Sequence, residues 1–169
     1  MKILILGASY GSLLSTKLLM AGHDVTLICR SKSAALINDE GTEVRIKLRD
    51  EDSHRAFRSH DLAGTLDAVT PADARPENYD MISLAMQEPQ YSEPQVSDLM
   101  QRIATSRKPC LSIMNMPPLP FLRRVDALGE APLEMCYDDA SVWADFEPGL
   151  MSLCSPDPQA FRPPEEGTN

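Results

Sequence analysis

Residues 7–11, Gly7-Ala8-Ser9-Tyr10-Gly11, follow directly on an apolar run, Ile3-Leu4-Ile5-Leu6. Two chemistries meet in this stretch. It spells G-x-S-x-G, the sharp strand-to-helix elbow that exposes a nucleophilic serine. It is also close to the glycine-rich turn that seats a pyrophosphate at a helix N-terminus. Ser9 is a nucleophile in the first case and part of an anion cradle in the second.

A serine nucleophile needs a histidine base oriented by a carboxylate. Only His54 and His60 lie far enough downstream, both in the charged stretch 49–61, RDEDSHRAFRSHD. They read as surface histidines. An elbow serine also follows several strands, and here nothing precedes the first. The cradle reading explains more. Gly7 permits the turn off the strand. The N–H groups of residues 8–12 and the helix dipole then face an anion, and Ser9 and Ser12 add hydroxyl donors. The fit to G-x-G-x-x-G is imperfect: with one residue deleted, Gly11 serves as the last glycine.

These residues need a strand–helix–strand frame, and the pattern supplies one. Lys2 to Leu6 reads as a buried strand. Leu14, Leu18 and Ala21 fall at helical spacing, and Gly22 stops the helix. Asp24 to Cys29 is a second strand. At its end an NAD-binding domain usually carries Asp or Glu for the ribose. This chain has Arg30-Ser31-Lys32. A guanidinium with a nearby Lys and Ser suits a 2′-phosphate, so NADP(H) is favoured over NAD(H). Short-chain dehydrogenases are disfavoured: no tyrosine has a Lys four residues on.

Further along, Ala34 to Asp39 reads as a short helix, and Glu43 to Leu48 as a half-exposed strand. The charged stretch 49–61 reads as solvated. Asp80 to Ala85 reads as a buried strand, 96–104 as a helix, and Cys110 to Met114 as a strand ending at Asn115. Residues 133–137 and 150–154 read as edge strands. Strands alternating with helices imply an α/β fold: a Rossmann-type, doubly wound, mostly parallel sheet with helices on both faces. Residues 1–154 form the dinucleotide-binding domain on this reading, and 155–169, SPDPQAFRPPEEGTN, a linker or loose tail.

The chain has 169 residues, 43% of them apolar, and a net charge of -9 from 25 acidic and 16 basic residues. That balance argues against nucleic acid and anionic membranes as partners. No stretch approaches the about 18 apolar residues of a membrane span. Four cysteines form no C-x-x-C pair and read as buried thiols, with no metal site. No signal peptide is visible, and the expected compartment is the cytoplasm.

The opening MKILILGASYGSLLSTKLLMAGHDVTLICR, with DMISLAMQ and PCLSIMNM further on, resembles the ketopantoate reductase family. The likeness runs over residues 1–120 and is most specific in the opening segment. It implies NADPH-dependent reduction of a 2-keto acid such as 2-dehydropantoate to pantoate, in pantothenate biosynthesis on the route to coenzyme A. The resemblance places Gly7, Ala8, Ser9, Tyr10, Gly11 and Ser12 at the pyrophosphate and Arg30, with Ser31 and Lys32, at the 2′-phosphate. Ala85, Met86 and Gln87 then meet cofactor or substrate. Asn115 stands beside the nicotinamide and the substrate as the one residue assigned to catalysis. Without the resemblance, Asn115 reads as a strand-end cap.

Three departures separate the chain from the family pattern. The glycine turn is one residue short. Ala85-Met86-Gln87 replaces the family's Lys after the fourth strand. Met116, followed by Pro117 and Pro118, stands where the family has Gly after the Asn. Ketopantoate itself is therefore not secured as the substrate. The family's catalytic Lys and substrate-binding Glu belong to a second, helical domain, expected to begin about where this chain stops. The expectation is a cofactor domain, either a fragment or a naturally short product, that binds NADP(H) and turns over little alone. It is compatible with a homo-oligomer. The alternative is a non-catalytic nucleotide sensor or partner-binding module, with Met86, Met114 and Met116 near an adaptable cleft.

Overall fold

The computed structural model describes residues 1–47, 52–114, 116–126, 128 and 134–154. Its main sheet is built from β1 (Lys2–Leu6), β2 (Asp24–Ile28), β5 (Leu66–Val69), β6 (Met81–Leu84), β7 (Cys110–Ser112) and β8 (Met151–Leu153). All neighbours in it run parallel. Between β2 and β5 the chain forms a separate antiparallel ribbon, β3 (Glu43–Lys47) with β4 (His54–Arg58). Helices lying wholly within the described residues are α1 (Ala8–Met20), α2 (Ser31–Glu40), α3 (Pro94–Ser106) and the single turn α4 (Leu119–Leu122).

The spatial order is β5-β2-β1-β6-β7-β8. Strands β1, β2 and β5 progress one way from the centre, and β6, β7 and β8 the other. This is the doubly wound order in which two halves meet at a switch point, here between β1 and β6. Parallel strands need covered faces, and β1 shows why its sequence is continuously apolar. Leu4 and Leu6 point into one core with Val96, Leu99, Met100 and Ile103 of α3. Ile3 and Ile5 point into the other, with Leu19 of α1 and Ala34 of α2. Helices cover both faces, as the alternation of strands and helices predicts.

Helix ends follow local chemistry. Gly22, at φ 79°, closes α1. Its N–H donates to Leu19 and that of His23 to Leu18, the paired bonds of a left-handed helix stop. Gly41, at φ 74°, ends α2 with a single bond from its N–H to Ile37 O at 2.8 Å, and the next N–H, of Thr42, turns to Ser59 Oγ at 2.9 Å.

Three expectations are corrected, and one strand, β5, is not among the expected elements. Residues 49–61 are not all solvated loop, because His54–Arg58 form β4. Residues 48–51 lie outside the described ones. Glu43 of β3 draws the guanidinium groups of Arg45 and Arg58 to its two oxygens, each at 2.9 Å, so charge laces this ribbon together. In the span 133–137 the described residues 134–137 form a turn of helix and bends, not an edge strand. Strand β5 carries too short a signal for the pattern to find, and α2 supplies what it lacks. Asn38 donates to Ala68 O at 2.9 Å and accepts from Ala68 N–H at 2.7 Å. The third correction concerns the cysteines: Cys110 is buried and Cys29 half-buried, but Cys136 and Cys154 are exposed. The tail 155–169 lies outside the described residues.

Candidate functional site

In a parallel sheet the carboxyl ends of all strands share one edge. That places Gly7 after β1, Arg30 after β2, Ala85-Met86-Gln87 after β6 and Met114 after β7 along the same rim. Asn115, the assigned catalytic residue, lies outside the described residues.

The first βα turn consists of Gly7 alone, between Leu6 and Ala8. Its N–H donates to Ile28 O of β2 at 3.2 Å, and its carbonyl accepts the first helical bond, from Gly11 N–H, at 2.9 Å. At φ 105° only glycine is relaxed. A Cβ here would stand 2.6 Å from the Ala85 carbonyl oxygen. Gly7 therefore lets β1 and β6 stay close where the sheet order reverses. Gly11 does a different job. It is buried, and a Cβ on it would come within 2.6 Å of Ile5 Cγ2. That is the packing of helix on strand which the last glycine of the dinucleotide turn permits.

With a one-residue turn, the N–H groups of Ala8, Ser9 and Tyr10 have no intrahelical acceptor four residues back. No acidic residue occupies the first turn of α1. The same holds for α2, whose first residues are Ser31 and Lys32 and whose N-cap is Arg30. Arg30, Ser31 and Lys32 are all exposed. Both helix starts thus present positive dipole ends to the rim of an acidic chain. Ser9 is exposed, and its carbonyl accepts from Ser12 Oγ at 2.9 Å.

The structure also bears on the nucleophile reading. Gly41 at the end of α2 lies against His60, whose Nε2 is 2.6 Å from the position of a Cβ at Gly41. Ten residues of helix, about 15 Å, separate that end from the carboxyl edge. His54 sits on the ribbon opposite Lys47, and His23 precedes β2. None of the three histidines stands with Ser9, and both downstream ones are exposed, as their charged surroundings predict.

On the far side of the switch point, Tyr10, Ala85, Met86, Gln87, Ile113 and Met114 line a shallow groove. Its wall is fixed from below. Tyr91 is fully buried and its hydroxyl accepts from Met86 N–H at 3.1 Å. Burial pushes its phenol well above the usual range, so the hydroxyl stays neutral. The Tyr91 ring lies 5.3 Å from that of Trp143, which also meets Tyr137 and Phe146. Sequence reasoning missed Tyr91 and Ile113. Neither carries a motif, and Tyr91 acts through a backbone group that no pattern exposes.

Among the described residues no cluster of three or more His, Cys, Asp or Glu could hold a metal ion. No described helix is long and apolar enough to cross a membrane. Of the described lysines, only Lys32 stands at the carboxyl edge: Lys2 opens β1, Lys108 precedes β7, Lys17 is in the last turn of α1, and Lys47 is on the ribbon.

The model of one protein family, described as Ketopantoate reductase PanE/ApbA, matches residues 3–115, more than half of the chain. No curated protein matches significantly. Among solved structures, similar chains include one described as a 2-dehydropantoate 2-reductase from Enterococcus faecalis, at 19% identity and TM-score 0.44, over 81% of this chain and 37% of that one. Another, described as the 2-dehydropantoate 2-reductase panE from Bacillus subtilis, shares 23% identity at TM-score 0.45, over 76% of this chain and 38% of that one. A third, described as a ketopantoate reductase from Ralstonia solanacearum, shares 19% identity at TM-score 0.47, over 72% and 34%. The chain thus spans little more than a third of the length of these proteins.

Proposed function

This chain belongs to the ketopantoate reductase family, and from that premise we propose that it binds NADP(H) as the cofactor domain of a 2-keto acid reductase. One observation carries the reading. The glycine turn at the switch point opens onto the bare first turn of α1, and the neighbouring strand ends in Arg30-Ser31-Lys32 rather than a carboxylate. The donor set suits a ligand with a pyrophosphate and a further phosphate.

Residues 8–10 would hold the pyrophosphate with backbone N–H groups. The Arg30 guanidinium would pair with the 2′-phosphate, with Ser31 and Lys32 beside it. Gly7 and Gly11 keep strand, helix and ligand close. Ala85, Met86 and Gln87 form the wall where the nicotinamide end would lie, and Asn115 is assigned to that end. The bound nicotinamide would supply the hydride. A carbonyl receiving hydride also needs a proton donor. None of the described lysines at the carboxyl edge lines the groove, so the proposal assigns cofactor binding to residues 1–154 and leaves the general acid to groups outside them. The keto acid substrate, 2-dehydropantoate or a relative, follows from family membership and not from any contact seen in this chain.

Calorimetric titration with NADPH and NADH, on wild type and Arg30→Ala, tests the reading. Micromolar NADPH binding, weaker NADH binding, and loss of that difference in Arg30→Ala are the expected result. A charge-assisted pair of about 1.5–3 kcal/mol corresponds to a difference of roughly ten- to a hundredfold. Absence of binding by either nucleotide below millimolar would overturn it.

A further inference from the structure

The groove at the switch point is spanned by a side-chain bridge. Tyr10, in the first turn of α1, is 55% exposed, and its hydroxyl accepts from Gln87 Nε2 at 3.1 Å. The two residues are 77 positions apart in sequence. They stand on opposite lips of the groove, one on the glycine-turn helix and one beyond β6.

Gln87 is not loosely placed. It heads the 3-10 turn Glu88–Ser92, and its backbone carbonyl accepts from Gln90 N–H at 3.0 Å. The Gln90 side chain accepts in return from Gln87 N–H at 2.9 Å. This reciprocal pair ties the Gln87 backbone to Gln90 and leaves the carboxamide NH2 to Tyr10. The Tyr10 oxygen therefore takes a donor that stands where the switch-point crevice opens. A ligand oxygen entering that crevice would compete for the same hydrogen.

Resting on the cofactor reading above, we propose that Tyr10 and Gln87 form a latch across the dinucleotide crevice. Tyr10 is a stand-in acceptor on Gln87, and cofactor entry exchanges one hydrogen bond for another. Opening turns the exposed Tyr10 side chain away and frees the Gln87 carboxamide, so the backbone of residues 86–92 loses one restraint. The affinity of the site for its ligand is then set partly by a residue that competes with the ligand.

Hydrogen–deuterium exchange of the full chain without nucleotide, and calorimetry with NADPH, test this on wild type and Tyr10→Phe. The variant keeps the ring and removes only the acceptor. The expected result is faster exchange over residues 86–92 and NADPH binding about two- to tenfold tighter, the weight of one neutral hydrogen bond. Unchanged exchange overturns the latch. So does NADPH binding that is unchanged or weaker in the variant, since the hydroxyl would then be idle or serve the ligand directly. Faster exchange with no NADPH binding by either protein supports the latch as a contact and takes down the cofactor reading instead.

Discussion

The backbone of Gly7 lies so close to Ala85 that a Cβ on residue 7 would stand 2.6 Å from the Ala85 carbonyl oxygen. This contact joins the two halves of the sheet at the point where strand order reverses. It also fixes the distance between the glycine turn and the wall formed by residues 85–87.

Gly7→Ala should therefore be costly twice over, through its φ of 105° and through the clash. The expected loss is roughly 2–6 kcal/mol in urea unfolding, with NADPH binding abolished. Gly22→Ala is the control. Its φ is 79°, but nothing lies within 4 Å of the added carbon, so the loss should be about 1–2 kcal/mol with NADPH affinity kept. Equal losses at the two positions would show that the close approach at Ala85 does not matter.

Tyr91→Phe removes the acceptor for Met86 N–H and keeps the ring against Trp143. A buried donor left unpaired costs about 1–3 kcal/mol. The expected outcome is a lower Tm with weaker NADPH binding, because the groove wall is no longer pinned. An unchanged Kd at lowered Tm would make Tyr91 a core residue only.

Asn38→Ala strips both side-chain bonds from Ala68 of β5. The strand lies at the sheet edge, so water can replace part of the loss, and about 1–2 kcal/mol is expected. Exchange at residues 66–69 should rise while residues 81–84, in the sheet interior, stay protected.

Alkaline stability follows from buried groups, Tyr91 among them, and two more set its onset. Burial pushes the Cys110 thiol from its ordinary 9.0 up to about 12, and the Tyr137 phenol from 10.0 up to about 12. Between pH 9 and 12 the unfolded chain therefore binds fewer protons than the folded one, and stability falls as pH rises. Below pH 9 these two groups make stability insensitive to pH. Denaturation curves across pH 8 to 11 should show the decline, and Cys110→Ala should flatten its onset near pH 9. A decline that begins at the same pH and slope in Cys110→Ala would exclude that thiol as a cause.

The central frame was legible because several levels of the sequence agree. Residues 2–28 combine a run apolar on both faces, a glycine turn, helical spacing and a glycine stop, and β1, α1 and β2 follow. The stripe itself is shifted, since α1 buries Gly11, Ser15, Thr16 and Leu19 while Leu14 and Leu18 are half-buried and Ala21 is exposed. Elements at the margin were less legible. β5 has four residues, one of them Asp67, and is completed by Asn38 from a helix distant in sequence. β4 was hidden by charge: only Phe57 of its five residues is even half-buried, so period-2 alternation has little to show. Around the site, the glycines and Arg30 announced themselves by type. Tyr91 and the Tyr10–Gln87 bridge arise only when chain segments far apart in sequence meet.

The aromatic cluster beneath the groove has an optical consequence. Trp143 is the chain's one tryptophan, fully buried and in ring contact with the residue that holds the Met86 amide. Its emission is thus a native reporter of the groove wall, free of background from any other indole. A reduced nicotinamide seated above would absorb in the range where a buried indole emits. The protein carries its own donor for an energy-transfer reading of occupancy, with no label to attach and no substrate to turn over.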